Sequence, residues 1–385
     1  MKTEEIIKAV KACLPSRRPI EHHEPFIHKK KVAYELSNCI ASGITSYEYV
    51  DRFEDWLANL TGAEYIVCTN TGTAALHLAL VAAGVRHGEE VIIPTSTFVA
   101  TANAVSHAGA VPHFVDGAPT IDPESLGAYL SKICKKGHNG RGAFHERSNS
   151  TISAIIVVHL LGIPADMVGI CKVAKELNLI VIEDCSQALG VKLNGRHVGT
   201  FGWAGTFSFN NNKVLTTNGG GAVITNSSNI AYDARQLAST YRRPHQWLVE
   251  HESMAWNYRM GNINAALGIA QAKEWPAIMD AKRALAARYR HHLDGVDFLD
   301  PAPSSESNYW LNTILVDNRD ELLEALHKEG LRARASFTPL NTLPFYKYTL
   351  ADLYSYQYSI NQEQMPRAQE FFEKAVCLPS GSSLL

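Results

Sequence analysis

The 385-residue chain has no Cys-x-x-C pair, no His-Glu-x-x-His, no basic stripe and no apolar run near the ~20 residues that span a bilayer. Each absence removes a class of function. Seven cysteines, Cys13, Cys39, Cys68, Cys134, Cys171, Cys185 and Cys377, are scattered and odd in number. They read as reduced thiols of a cytoplasmic protein, not as a disulfide framework or a zinc site. There are 16 histidines, but the pairs His22-His23 and His291-His292 would diverge on a helix. Both pairs read as surface residues, and no metal is expected. Lysine and arginine (36) nearly balance aspartate and glutamate (38), and the cluster Lys29-Lys30-Lys31 reads as a solvated helix face. Nucleic acid is therefore not an expected partner. Met1-Lys2-Thr3-Glu4-Glu5 has no signal-peptide pattern, and no membrane partner is expected. Repeats and low-complexity tracts are also lacking.

What the chain does have is alternation. Strand-like runs at 65–68, 91–94, 112–115, 154–159, 179–183, 205–209 and 221–225 alternate with helical patterns over much of this span. The pattern predicts an α/β fold with a large, mostly parallel seven-stranded sheet. The polar, glycine-containing stretch 134–150 reads as a surface loop. A helix begins at Asn264, Pro276 marks a kink or break, and 281–293 is helical again. A strand at 310–316 and a helix at 321–329 predict a smaller C-terminal α/β domain. The expected division is 1–265 (N-terminal arm and large domain) and 266–385.

Within the sheet pattern one lysine stands out. The run Thr206-Phe207-Ser208-Phe209 ends in the polar turn Asn210-Asn211-Asn212, with Lys213 at its tip. Gly219-Gly220-Gly221 and a second strand follow. A lysine held between strands and away from water loses its charge readily, and a neutral amine forms a Schiff base with an aldehyde. Pyridoxal 5′-phosphate (PLP) is the aldehyde that fits, and its further needs can be sought along the chain.

The pyridine nitrogen of PLP needs a carboxylate. Asp184 ends the buried-strand signal Leu179-Ile180-Val181-Ile182-Glu183, where α/β sheets place their ligands; capping the next helix is its bland alternative. Gln187 follows three residues later and is a donor for the phenolic oxygen. The phosphate needs backbone N–H groups at a helix start. The turn Thr69-Asn70-Thr71-Gly72-Thr73 before an Ala/Leu-rich helix supplies them, without the Gly-Lys-Ser/Thr of a nucleotide-binding loop. Ser208 adds a hydroxyl. Phe98, beyond the strand at 91–94, is either a ring-stacking residue or core. His159, at a strand end, either supports Asp184 or is a hydrogen-bonded core histidine.

Taken together, Gly72-Thr73, Pro94 to Asn103, His159, Glu183-Asp184-x-x-Gln187-Ala188, Ser208-Phe209 and Asn212-Lys213 resemble the DegT/DnrJ/StrS sugar nucleotide aminotransferases. The likeness runs from His23-Glu24-Pro25 to Leu378-Pro379-Ser380. Within that family the chain is most similar to LegC-type and PglE-type enzymes, through Asn212-Lys213 with the triple glycine, His245-Gln246-Trp247 with Asn257-Tyr258-Arg259, and Ser307-Asn308-Tyr309-Trp310-Leu311-Asn312. The resemblance implies an aspartate aminotransferase-like fold type I and a PLP cofactor. It implies amino transfer from L-glutamate to C4 of a 4-keto-6-deoxy-N-acetylhexosamine nucleotide. UDP is the favoured carrier, with GDP-linked, dTDP-linked or 3-keto sugars as alternatives.

Residue by residue, Lys213 would carry PLP and move the proton. Asp184 would hold the pyridinium and Gln187 the phenolic oxygen. Gly72, Thr73 and Ser208 would hold the phosphate, and Phe98 would stack on the ring. Asn257 would reach the phosphate of a neighbouring subunit, which implies a homodimer with shared sites. Tyr309 and Asn341 would border the sugar nucleotide. Two departures bear on the sugar: Ile44-Thr45-Ser46-Tyr47-Glu48-Tyr49 lacks the glycine common there, and Asn341 replaces a frequent histidine. A PLP enzyme that does not transaminate, or a sugar-nucleotide binder without activity, are the rival classes. Lys213, Asp184 and Gln187 together argue against both.

Overall fold

The computed structural model describes residues 1–16, 19–137, 142–346 and 365–384. Three helices come first, α1 (Thr3–Cys13), α2 (Lys29–Gly43) and α3 (Glu48–Thr61). Alternation then begins with β1 (Tyr65–Thr69), α4 (Gly72–Ala82), β2 (Glu90–Pro94), α5 (Ala100–His107), β3 (Val111–Val115) and α6 (Pro123–Ile133). Short strands β4 (Cys134–Lys136) and β5 (Ala143–His145) precede β6 (Ser150–Val158), α7 (Met167–Glu176) and β7 (Ile180–Asp184). Next come β8 (Lys192–Leu193), β9 (Arg196–His197), β10 (Ala204–Ser208), β11 (Gly221–Thr225) and α8 (Ser228–Ala238). The C-terminal part holds α9 (Asn262–Ala272), α10 (Trp275–His292), β12 (Asp297–Phe298), β13 (Ser305–Glu306) and β14 (Thr313–Leu315). It ends with α11 (Arg319–Lys328), β15 (Arg334–Ala335), α12 (Pro366–Lys374) and β16 (Ala375–Cys377).

The seven expected strands lie side by side in the order β1-β11-β10-β7-β6-β2-β3. Strands β10, β7, β6, β2 and β3 run parallel to one another, while β11 runs antiparallel between β1 and β10. Because side chains alternate across a strand, the sheet has two apolar faces. Ile155, Val157, Val181, Phe207 and Phe209 meet Phe53, Leu130, Ile170 and Ile269, from α3, α6, α7 and α9. Ala154, Ile156, Val158, Ile182 and Ala204 meet Leu76, Val105, Leu237 and Ile278, from α4, α5, α8 and α10. Both faces are covered, so the strands read as apolar runs and not as polar–apolar alternation.

The stretch 134–150 differs from expectation. It is not simply a surface loop: β4 and β5 pair with each other, and β5 continues onto β6 as an antiparallel addition. His145 and Ser148 are buried there. Pro276 lies in the first turn of α10, where a missing N–H costs nothing, so it divides two helices and does not bend one.

The second sheet, β12-β14-β16-β15, is antiparallel and drawn wholly from the C-terminal part. Helix α1 packs beside it: Ile6 and Val10 share a core with Leu285, Tyr289, Leu322 and Leu326. His23, expected at the surface, is instead buried, with its ring 6.4 Å from that of Trp310 and neither nitrogen partnered among the described residues.

Strand β7 ends in two acids on opposite faces. Glu183 is fully buried on the α3/α7 side and accepts the N–H groups of Gly199, Phe201 and Gly202, each at 2.7 Å. Glu183→Ala strands these three donors. A stranded buried donor costs ~1–3 kcal/mol, so the urea midpoint should fall by the equivalent of at least ~3 kcal/mol, with Glu183→Gln between the two. An unchanged midpoint in Glu183→Ala would refute this anchoring.

Candidate active site

The loops that leave the carboxyl ends of β2, β7 and β10 open on one cleft, which Trp310, Arg334 and Phe337 of the C-terminal part also line. Gly72, Thr73, Phe98, Asp184, Gln187, Ser208 and Lys213 all line it. Their convergence follows from strand parity. Asp184 lies on the same face of β7 as Ile182, and Ser208 on the opposite face of β10 from Phe207 and Phe209. Both therefore face the α4 layer. A Cβ on Gly72 would lie 2.6 Å from Ser208 Cβ, so only glycine lets the start of α4 approach β10 this closely. Thr71 caps that helix, its side chain accepting the Ala74 N–H at 3.0 Å. The result is a helix N-terminus beside a serine hydroxyl, a ready anion cradle.

Asp184 is buried and held by neutral donors, the Thr101 hydroxyl at 2.8 Å and the Ser186 N–H at 3.0 Å. Its negative charge faces the cleft without an offsetting charge from these donors, which suits a protonated ring nitrogen. His159 does not support it by side chain. The ring bonds Glu183 at 3.1 Å and accepts the Ala165 N–H at 3.1 Å; only the His159 backbone N–H reaches Asp184, at its carbonyl. His159 is thus the buried structural histidine of the two readings. The Gln187 amide oxygen accepts the Leu161 N–H at 2.6 Å, which leaves the NH₂ end as the donor available to a phenolic oxygen. Asn308, from the C-terminal part, donates to the Gln187 and Leu189 carbonyls at 3.1 and 3.0 Å, fixing this loop.

Lys213 sits in the long β10–β11 connection. The Lys213 N–H bonds the Asn210 carbonyl at 3.0 Å, and Asn264 of α9 donates to the Thr217 carbonyl at 2.8 Å. The ammonium lies 4.5 Å from the centroid of Trp310, whose indole N–H bonds the Asn212 carbonyl at 2.9 Å. Burial pushes Lys213 down from 10.5 to about 8; Asp184 opposes the shift and Arg334 adds to it. Phe98 stands half-exposed at the mouth, 5.9 Å from Phe337 and edge-on to it.

Three expected residues lie elsewhere. Asn257 is exposed, in a segment bridged to Ser239 and laid against the β1–α4 turn through Asn70. Asn341 is clasped by Thr95, whose hydroxyl donates to its Oδ1 at 2.6 Å. The Tyr309 ring lies 5.0 Å from the Arg290 guanidinium, over a separate depression. The sequence did not single out Arg334. It lines the cleft between Trp310 and Phe337, and its Nε and Nη2 are buried without a partner among the described residues. Desolvation lowers its pKa from 12.5.

This donor set fits PLP: an anion cradle, a carboxylate for a ring nitrogen, an amide donor beside it, and a lysine of lowered pKa. Covalent attachment of an aldehyde requires the neutral amine. A folded pKa of about 8 makes that form available well below pH 10.5. Uptake of PLP by the apo chain should therefore accelerate with pH, bend near pH 8 and level off above it. Asp184→Asn removes the charge that raises the value and should move the bend down. A bend in the ordinary lysine range, or uptake by Lys213→Ala, would contradict this assignment.

Residues 27–385 match the DegT/DnrJ/EryC1/StrS aminotransferase family. The chain is 34% identical over 373 residues to GDP-perosamine synthase of Vibrio cholerae, covering 92% of this chain and 96% of that protein. It is 38% identical over 288 residues to a UDP-N-acetyl-3-dehydro-alpha-D-glucosamine 3-aminotransferase of Acidithiobacillus ferrooxidans, covering 74% of this chain and 73% of that one. Among solved structures, PseC of Helicobacter pylori, described as an aminotransferase of pseudaminic acid biosynthesis, superimposes with a TM-score of 0.82 at 26% identity, over 96% and 95% of the two chains. With the cleft's donor set in place along that match, the chain belongs to the DegT/DnrJ/EryC1/StrS family and is a PLP-dependent sugar aminotransferase.

Proposed function

We propose that this enzyme moves an amino group from L-glutamate to C4 of a 4-keto-6-deoxy sugar nucleotide. The amino sugar product would serve a surface glycan. The observation that supports the donor is Arg334. A guanidinium with two buried, unpartnered N–H faces beside Lys213 suits a planar carboxylate, which it can bind through paired bonds. Arg334 also acts on Lys213 across the cleft, and this pair of basic side chains favours anions there.

In this reading each residue has one task. PLP, when bound, supplies an electron sink for the carbon that loses its proton. Asp184 holds a positive charge at the far end of the ring, and the Gln187 NH₂ orients its oxygen. Gly72, Thr73 and Ser208 hold the phosphate, and Phe98 closes the open face. Arg334 places the donor's carboxylate so that its α-hydrogen faces Lys213 Nζ, which takes that proton and later returns it. Tyr309 and Asn341 are proposed sugar-nucleotide contacts. Tyr309 adjoins the cleft residue Trp310, and Asn341 follows the mouth residue Phe337 by four positions.

The nucleotide preference moves from UDP to GDP. The relative named for a GDP sugar matches over 92% of the chain, against 74% for the one named for a UDP sugar. The UDP-linked reading is kept second on the strength of that latter relative. Assays with GDP- and UDP-linked 4-keto and 3-keto sugars decide it. A kcat/KM for the GDP-linked 4-keto sugar at least about tenfold above the rest is expected, ~1.4 kcal/mol of discrimination. A UDP-linked favourite overturns it. For the donor, Arg334→Met should raise the KM for glutamate about 10- to 100-fold, the loss of a charge-assisted bond of ~1.5–3 kcal/mol. A glutamate half-reaction at the wild-type rate would remove Arg334 from this role.

A homodimer with shared sites is part of the proposal. Trp247, Val249 and Met254 are 75%, 67% and 90% exposed, near Asn257, and an apolar surface of this kind suits a subunit interface. Mixing Lys213→Ala with Asn257→Ala subunits should restore up to half the wild-type activity per mixed dimer, because one site then escapes both defects. Without shared sites no activity returns. Among the described residues no helix is long and apolar enough to cross a membrane. We place the reaction in the cytoplasm, in keeping with seven unpaired thiols. We also propose the domain division at 265/266, since the two main sheets fall on either side of it, although α1 packs across it.

A further inference from the structure

We propose that Glu90, His113 and His145 form a second site, a structural binding site for a divalent ion of the zinc class, at the amino-terminal end of the large sheet. Glu90 opens β2, whereas the cleft lies beyond the other end of that strand. Five residues of strand separate the two ends, about 16 Å at roughly 3.3 Å per residue. The site is independent of the aminotransferase reading.

The geometry is convergent. His113 Nδ1 lies 2.6 Å from Glu90 Oε2, and His145 Nδ1 lies 3.0 Å from both Glu90 oxygens. All three ligand atoms lie within 4.8 Å of one another. Ser148 Oγ is 2.7 Å from His145 Nδ1 and also bonds Glu90, marking the place of a fourth ligand. The three side chains come from β2, β3 and β5, and all are buried: Glu90 is 4%, His113 6% and His145 9% exposed.

Two imidazole nitrogens, one carboxylate and a hydroxyl or water make a tetrahedral set that zinc accepts. His113 also has the outer partner that such ligands use: its Nε2 is 2.7 Å from the Tyr129 hydroxyl. In the ion-free form each Nδ1–H donates to Glu90. With the ion bound, the Nδ1 lone pair faces the metal and the proton resides on Nε2, where for His113 the Tyr129 oxygen accepts it. A dication matches a carboxylate buried between two imidazoles. The ion would tie β2 and β3 to the β4–β5 addition, whose few backbone pairs leave it otherwise lightly held.

The test uses tag-free holoenzyme, dialysed against a chelator and titrated with Zn²⁺. Zinc per chain is read by elemental analysis and stability by thermal unfolding. One zinc per chain, with a Tm that climbs with free zinc and an unchanged kcat below the transition, is expected. His145→Ala should abolish both the uptake and the Tm shift. Tyr129→Phe spares every ligand and should weaken zinc binding by roughly 10- to 100-fold, so it decides the matter even where His145→Ala fails to fold. Wild-type protein that takes up no stoichiometric zinc overturns the proposal and leaves a proton-bonded cluster. So does uptake that is equal in Tyr129→Phe and in His145→Ala, which would place the ion on other histidines.

Discussion

Strand β7 ends in two adjacent carboxylates that the pleat sends to opposite sides of the sheet, and the cleft is built around that divergence. Glu183 turns into the layer of α3 and α7 and collects three backbone N–H groups and His159. Asp184 turns toward α4 and Ser208. A slip of one residue in β7 would exchange the two acids. The longer Glu183 side chain would then enter the cleft in place of Asp184, and the loop 199–202 would lose its anchor. The register is held by the apolar sets that flank the acids, Val181 on one side and Ile182 on the other, each committed to a different core.

Much of this was legible in the sequence because a doubly covered sheet writes itself as apolar runs, and because its ligands gather where those runs end. Lys213, Asp184, Gln187, Ser208, Gly72, Thr73 and Phe98 were placed by that rule, and one cleft holds them all. What escaped notice shares a cause. The strands β4 and β5 are three residues each and carry no alternation long enough to see. The partner of His159 depends on strand parity, which a sequence does not display when both neighbours are acids. The burial of His23 depends on Trp310, far along the chain. Arg334 stands two residues from Arg332 in an ordinary polar context. Only the fold shows which guanidinium faces the cleft.

The two ends of the large sheet contrast in how they are encoded. At the carboxyl end, chemistry comes from short contiguous motifs, since each loop contributes two or three neighbours. At the amino end, Glu90 meets His113 and His145 across 23 and 55 residues, with one ligand from each element. No spacing rule connects such positions, which is why an inventory of metal motifs passes over them. The histidine-rich composition was visible, but its arrangement was not.

Lys213 is held from two directions, by Asn264 of α9 and by the Trp310 indole through Asn212. The N-terminal segment in turn leans on the chain's end: Ile20 pairs with Leu331, the Ser380 N–H bonds the His22 carbonyl, and α1 packs on α10 and α11. During synthesis, then, α1 is made long before the helices α10 and α11 that it packs against. Lys213 likewise waits for a tryptophan made nearly a hundred residues later. The cleft is therefore completed late, once Trp310, Arg334 and Phe337 have been made.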